Sequence, residues 1–245
     1  MRLAIMQPYF FPYLGYFQLI RAADKMIFYA DLPFARHSWM DRNRLRHRNG
    51  DTFYFNAPVT DSRGRLIRDV GLHAREDWCR SFFKLLRCNY ASAPHYAQIV
   101  TLLERHLPGC GTGEPGSLLR TNVDTLRGIA NWLDVSTEIE ALPNAYEAVE
   151  AGIAGLDKEE RMTRRITDIC RANGAKEYVN AIGGLALYDK DRFQREGVAL
   201  SFVSTRPYRY SQQSADFIAG LSILDVLMHC GRDGTRALMA EYDLI

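Results

Sequence analysis

MRLAIMQPYFFPYLGYFQLIRAADKMIFYAD, residues 1–31, is the stretch whose reading decides the fold. Residues 2–6 are a short apolar run. Gln7-Pro8-Tyr9-Phe10-Phe11-Pro12 cannot continue as regular helix, because two prolines fix φ and remove backbone donors. From Tyr13 the period changes: Tyr13, Tyr16, Phe17 and Ile20 share one helical face. Residues 26–29 are a second apolar, β-prone run, closed by Asp31. A strand, loop, helix and strand within about 30 residues read as a βαβ unit with a parallel strand pair. Parallel sheets bind ligands beyond the carboxyl ends of their strands. The loop at 7–12 falls there, and so does Asp31.

Working outward, residues 36–60 read as a β-hairpin, with Asn49-Gly50 between two β-capable runs. Its first arm carries Arg42, Arg44, Arg46 and Arg48, which a period of two puts on one strand face. Each guanidinium offers a planar fork suited to phosphate. Arg46 and Arg48 fit a solvated outer strand. Arg42 and Arg44, nearer Trp39 and the βαβ unit, fit a site.

A short strand is expected at 65–72 and mostly helix from 76 to 134, interrupted by a Gly/Pro-rich loop at 108–116. A strand follows at 136–142. Residues 143–156 read as a loop or weak helix and a candidate lid. Asp157 caps a charged amphipathic helix ending at Gly174, with Glu160 three residues after the cap. Residues 177–204 then repeat the opening order: strand, Gly183-Gly184, helix, strand. A polar, aromatic loop at 205–216 precedes a buried closing helix. The fold expected is α/β, with a mostly parallel Rossmann-like sheet, a β-hairpin and a helical region. We read residues 1–245 as a single α/β domain with a mainly helical insertion at about 76–134.

Size and charge exclude some classes. The chain has 245 residues, 47% of them hydrophobic, enough for one large core. A net charge of +2 gives no polycation to drive nucleic-acid binding. No apolar run approaches the roughly 18 residues of a membrane span, and the opening is too soon broken by proline for a signal peptide. A cytoplasmic protein is expected, with the five cysteines (79, 88, 110, 170, 230) as reduced thiols. No Cys-x-x-Cys or His-x₃-His pair suggests a metal site.

The chemistry is less explicit. Gly183-Gly184, between a strand and a helix, is where a backbone can approach a phosphate or a sugar. Asp31 is the carboxylate best placed to act as a base, and His37 is the histidine nearest the same region. Tyr13-Leu14-Gly15-Tyr16 resembles the His-x-Gly-His of the nucleotidyl transferases and related adenylate-forming ligases (the HUP-like class). In those enzymes the glycine lets a nucleotide lie against the first helix. Tyrosines hydrogen-bond but carry no charge near neutral pH, so the arginines must supply any positive charge.

At full length the chain resembles the WbqC-like proteins. The likeness rests on the opening from Met6 to Phe17, on Ser38-Trp39 with Arg42-Asn43-Arg44, and on Tyr178-Val179-Asn180 with Gly183-Gly184. Leu187-Tyr188-Asp189, Leu221 to Asp225 and Cys230-Gly231 complete it. The resemblance implies a bacterial protein of surface-polysaccharide and modified-sugar biosynthesis.

The reading is a group-transfer enzyme, acyl or nucleotidyl, acting on an amino sugar or sugar nucleotide, with adenylate-forming amide ligation as one form. A non-catalytic sugar- or nucleotide-binding protein is the alternative. ATP or another nucleotide is the expected cofactor, with no metal, nucleic-acid or membrane partner. The expected catalytic residues are Asp31 and His37. The expected binding residues are Gln7, Tyr13, Gly15, Tyr16, Arg42, Asn43, Arg44, Asn180, Gly183 and Gly184.

Overall fold

The opening apolar run forms the central strand. β1 (Arg2–Met6) is followed by α1 (Leu14–Ala22) and β2 (Lys25–Phe28), which pairs parallel to β1 in the register Leu3 with Lys25 and Met6 with Phe28. Leu3 and Ala4 are fully buried. The computed structural model describes residues 1–60, 62–73, 75–107, 116–213 and 216–245.

Beyond β2 the chain leaves the sheet. β3 (Arg42–Arg46) and β4 (Thr52–Asn56) form the expected antiparallel hairpin around Asn49-Gly50, and Gly50 takes a φ of 105°. The strand expected at 65–72 is reduced to a 3₁₀ turn at Ile67–Asp69 and the two-residue β5 (Gly71–Leu72). Helices α2 (Arg75–Tyr90) and α3 (Tyr96–His106) follow. β6 (Gly116–Ser117) pairs with β5 and leads into α4 (Leu118–Trp132). Most of the expected 108–116 loop lies outside the described residues.

The chain then returns to the sheet at β7 (Glu138–Glu140), parallel to β2. The segment expected as a loop or weak helix holds α5 (Glu147–Ile153). The charged amphipathic helix is α6 (Lys158–Ala172), and the Asp157 side chain accepts from the Glu160 amide at 2.9 Å, as its spacing predicts. β8 (Glu177–Ala181), α7 (Lys190–Arg195) and β9 (Ala199–Thr205) complete the second strand–helix–strand unit. α8 (Ile223–Ala240) bends at Gly231, whose φ is 62°. An edge strand that sequence reading missed, β10 (Tyr242–Leu244), closes the order β10-β9-β8-β1-β2-β7. Every pair is parallel except β10 with β9. The fold is therefore α/β with a mostly parallel sheet.

Strand alternation builds two cores. Ala4, Met26, Phe28, Val179 and Val203 face α1, α8 and the 75–132 helices. Leu3, Ile5, Ile27, Tyr29, Tyr178 and Phe202 face α6 and α7. Among the described residues no helix is long and apolar enough to cross a membrane. Cys88, Cys170 and Cys230 are free thiols, but Cys79 is in a disulfide, which corrects the expectation that all five are reduced.

Candidate functional site

The strand order places the site. From β1 the chain moves outward through β2 to β7, then returns to the other side of β1 at β8 and continues to β9. The carboxyl ends of β1 and β8 therefore flank a topological switch point, where the diverging connections leave a crevice. A cleft of about 570 Å³ opens there, within the usual size of ligand sites. Gln7, Tyr13, Asn180, Gly183 and Gly184 line it, so these expected residues converge. An adjoining compartment of about 250 Å³ is lined by Asn43, Arg44 and Gly220. Tyr9, Tyr13 and Trp39 border both.

Asn180 is nearly fully buried, yet its side chain is half used. Its Oδ1 accepts from the Ala181 amide at 2.8 Å, and Nδ2 donates to no acceptor among the described residues. Gln7 has no side-chain hydrogen bond there either. Tyr9 and Tyr13 add phenols whose pKa values are raised, chiefly by burial, so both remain protonated donors. Trp39 and Tyr13 are exposed aromatics of the shared wall, and Tyr9 is half-buried.

Other expected residues shape the site from behind. Tyr16 is buried and donates its hydroxyl to the Gln7 carbonyl at 2.5 Å, tying the end of β1 to α1. At Gly15 a Cβ would come within 2.6 Å of Tyr13 Cε2 and 3.0 Å of Thr205 Oγ1, so the glycine makes room for the Tyr13 ring. Asn43 donates to the carbonyls of Phe10 at 3.0 Å and Phe11 at 2.8 Å, holding the proline loop against the hairpin.

The arginine row divides. Arg44 faces the smaller compartment. Its Nε is buried without a partner, and its Nη2 reaches only the Gly220 carbonyl, at 3.5 Å. Arg42 lines neither compartment and lies over the Tyr54 ring across the hairpin, 4.4 Å from its centroid. Arg46, expected on a solvated strand, is buried and bonded to Gln212 Oε1 at 2.7 Å and the Asp216 carbonyl. Strand alternation of burial gives way there because Gln212 and Asp216 close over the guanidinium. Arg48 lies beyond the strand and is exposed.

Asp31 and His37 line neither compartment. Asp31 is ion-paired with Arg68 and accepts weakly from the Asn144 amide at 3.4 Å. His37 is exposed at the surface with a φ of 60°, its amide donating to Asp41 Oδ2 at 3.0 Å.

Sequence reading passed over Tyr29, Arg165 and Tyr188 as cleft residues. Tyr29 carries the alternation of β2 one residue past its end, so its wall position was available in principle. Arg165 sits on α6, which reads simply as an amphipathic helix. It is bound to Glu150 of α5 (Nη2 to Oε2, 2.7 Å), and the Tyr29 hydroxyl donates to the same carboxylate at 2.5 Å. Burial alone would raise the Glu150 pKa, but Arg165 and Tyr29 outweigh it and hold the carboxyl below its ordinary range. Burial and Glu150 push the Tyr29 phenol up.

The profile of the WbqC-like protein family matches residues 7–237. "Uncharacterized protein Rv1507c" of Mycobacterium tuberculosis (strain ATCC 25618 / H37Rv) is 27% identical over 242 residues, which span 95% of each chain. No solved structure gives a significant match.

Proposed function

The chain belongs to the WbqC-like protein family, and from that premise we propose that it is a group-transfer enzyme acting on an amino sugar or sugar nucleotide held in the β1–β8 cleft. The observation that carries this reading is the buried, half-used carboxamide of Asn180 at the switch point. An uncharged donor of that kind, beside Gln7 and two phenols, matches the hydroxyls of a sugar ring, and exposed aromatic faces match its C–H face. A bacterial surface-polysaccharide role, implied by the sequence resemblance, agrees with a sugar in this cleft.

Among the described residues, no Asp, Glu, His, Cys, Ser or Lys side chain lines either compartment. The chemistry that suits such a wall is transfer from an already activated donor, acyl or nucleotidyl, to an amine, with proximity and orientation as the enzyme's contribution. The same lining supports a second reading, a non-catalytic sugar- or nucleotide-binding protein. Incubation with amino sugars, sugar nucleotides and activated acyl donors, read by mass spectrometry, separates the two. A new acylated or nucleotidylated sugar formed at a rate proportional to protein supports the enzyme. Saturable binding of the same sugars without turnover supports the binding protein.

A further inference from the structure

Resting on that reading, we infer that the occupant of the cleft is a phosphorylated sugar whose phosphate docks on Arg44, and not a nucleoside triphosphate. Among the described residues, Arg44 is the cation of the two compartments that carries no carboxylate: its Nε is buried and unpartnered, and its Nη2 has one long contact to a backbone carbonyl. Arg165, the other arginine in the cleft wall, is already neutralised by Glu150. A buried guanidinium nitrogen without an acceptor is costly, and an anion at the mouth of the smaller compartment relieves that cost through a bidentate fork.

One guanidinium offsets most of the charge of one phosphate monoester, roughly −1.5 to −2 at pH 7, and the remainder stays with solvent. A triphosphate adds further ionised phosphates. Sites that hold one supply a lysine, a glycine-rich cradle of amides and carboxylates for magnesium. Among the described residues, no lysine, aspartate or glutamate lines either compartment. Among the described residues no group of three or more His, Cys, Asp or Glu is placed to hold a metal ion. The larger compartment, by contrast, is built for an uncharged ring, with Asn180, Gln7 and the tyrosines around it. Tyr9, Tyr13 and Trp39 join it to Arg44, so one molecule with an uncharged ring and a phosphate spans both. A sugar 1-phosphate and a nucleoside diphosphate sugar share that chemistry.

Calorimetric titration of the full chain tests this with glucose 1-phosphate, UDP-glucose, free glucose and ATP with magnesium, on wild type, Arg44→Ala, Arg44→Lys and Asn180→Leu. Thermal melting confirms that each variant is folded. At least one phosphorylated sugar binds about 10-fold or more tighter than both glucose and ATP. Arg44→Ala abolishes that advantage, and Arg44→Lys restores part of it, because lysine returns the charge without the fork. Equal affinity for the two phosphorylated sugars makes the phosphate and hexose the determinants. Tighter UDP-glucose places the uridine on the aromatic wall. ATP binding as tightly as either, an unchanged Arg44→Ala, or no binding of either phosphorylated sugar at millimolar concentration overturns the inference. If ATP wins while Asn180→Leu still weakens it, the cleft survives as the site and only the ligand class falls. If Asn180→Leu weakens no ligand that binds, the cleft reading fails with it.

Discussion

The carboxamide of Asn180 rests directly on Gly184: a Cβ at that glycine would lie 2.3 Å from Asn180 Nδ2 and 3.0 Å from its Cγ. Asn180 cannot swing clear, because it is buried and its Oδ1 is anchored on the Ala181 amide. Gly184→Ala is therefore expected to displace the cleft's central donor and weaken ligand binding by about 10-fold, the scale of one lost hydrogen bond. Gly152→Ala is the control, since a Cβ there meets nothing within 4 Å and the residue lines neither compartment. Equal affinities for the two variants would remove Asn180 from the binding account.

Tyr16→Phe probes the floor of the same site. The Tyr16 hydroxyl is the donor to the Gln7 carbonyl at the end of β1. Deleting it leaves that oxygen short of a partner and is expected to destabilise the fold by about 1–3 kcal/mol, read as a lower denaturant midpoint with an unchanged slope.

Arg46 and Arg42, at the two ends of β3, are expected to respond very differently. Arg46→Ala strips partners from Gln212 and the Asp216 carbonyl and opens a buried space, at a cost of about 2–4 kcal/mol. Arg42→Ala removes a guanidinium from the half-exposed Tyr54 ring, about 0.5–1 kcal/mol. Chemical denaturation of both variants checks the ranking; comparable losses would contradict the burial assigned to Arg46.

Glu150→Gln tests the clasp between α5 and the cleft wall. The Glu150 carboxyl is held below its ordinary value of 4.5, by Arg165 and Tyr29 acting against the opposing effect of burial. A depressed folded pKa means that the carboxylate's contribution is fully present above the unfolded value and lost as pH falls through the folded one. The melting-temperature gap between wild type and Glu150→Gln is thus expected to be constant from pH 6 to 8, corresponding to about 1 kcal/mol, and to shrink below about pH 4.5. A gap that widened on acidification would reverse the assignment.

Much of the fold is legible in residues 1–31 and 177–204, where apolar runs, prolines and glycines mark strands and turns locally. β10 is not, because Tyr242-Asp243-Leu244 is short and takes strand form only by pairing with β9. The burial of Arg46 depends on Gln212 and Asp216, which lie 166 and 170 residues away in the chain. Gln7 and Asn180 could be placed together from sequence, because parallel strands put their carboxyl ends on one side. Asp31 was drawn to the same edge by that argument, but its ion pair with Arg68 is a tertiary contact that no local pattern announces.

The proposed ligand site is the cleft between the ends of β1 and β8. A crystal structure of the protein with UDP-glucose or glucose 1-phosphate tests it most directly. The account predicts the sugar ring within hydrogen-bond distance of Asn180 Nδ2 and the phosphate on Arg44. Ligand density elsewhere, for example in the open groove lined by Arg36, Arg63 and His73, with the Asn180 cleft empty, would contradict it.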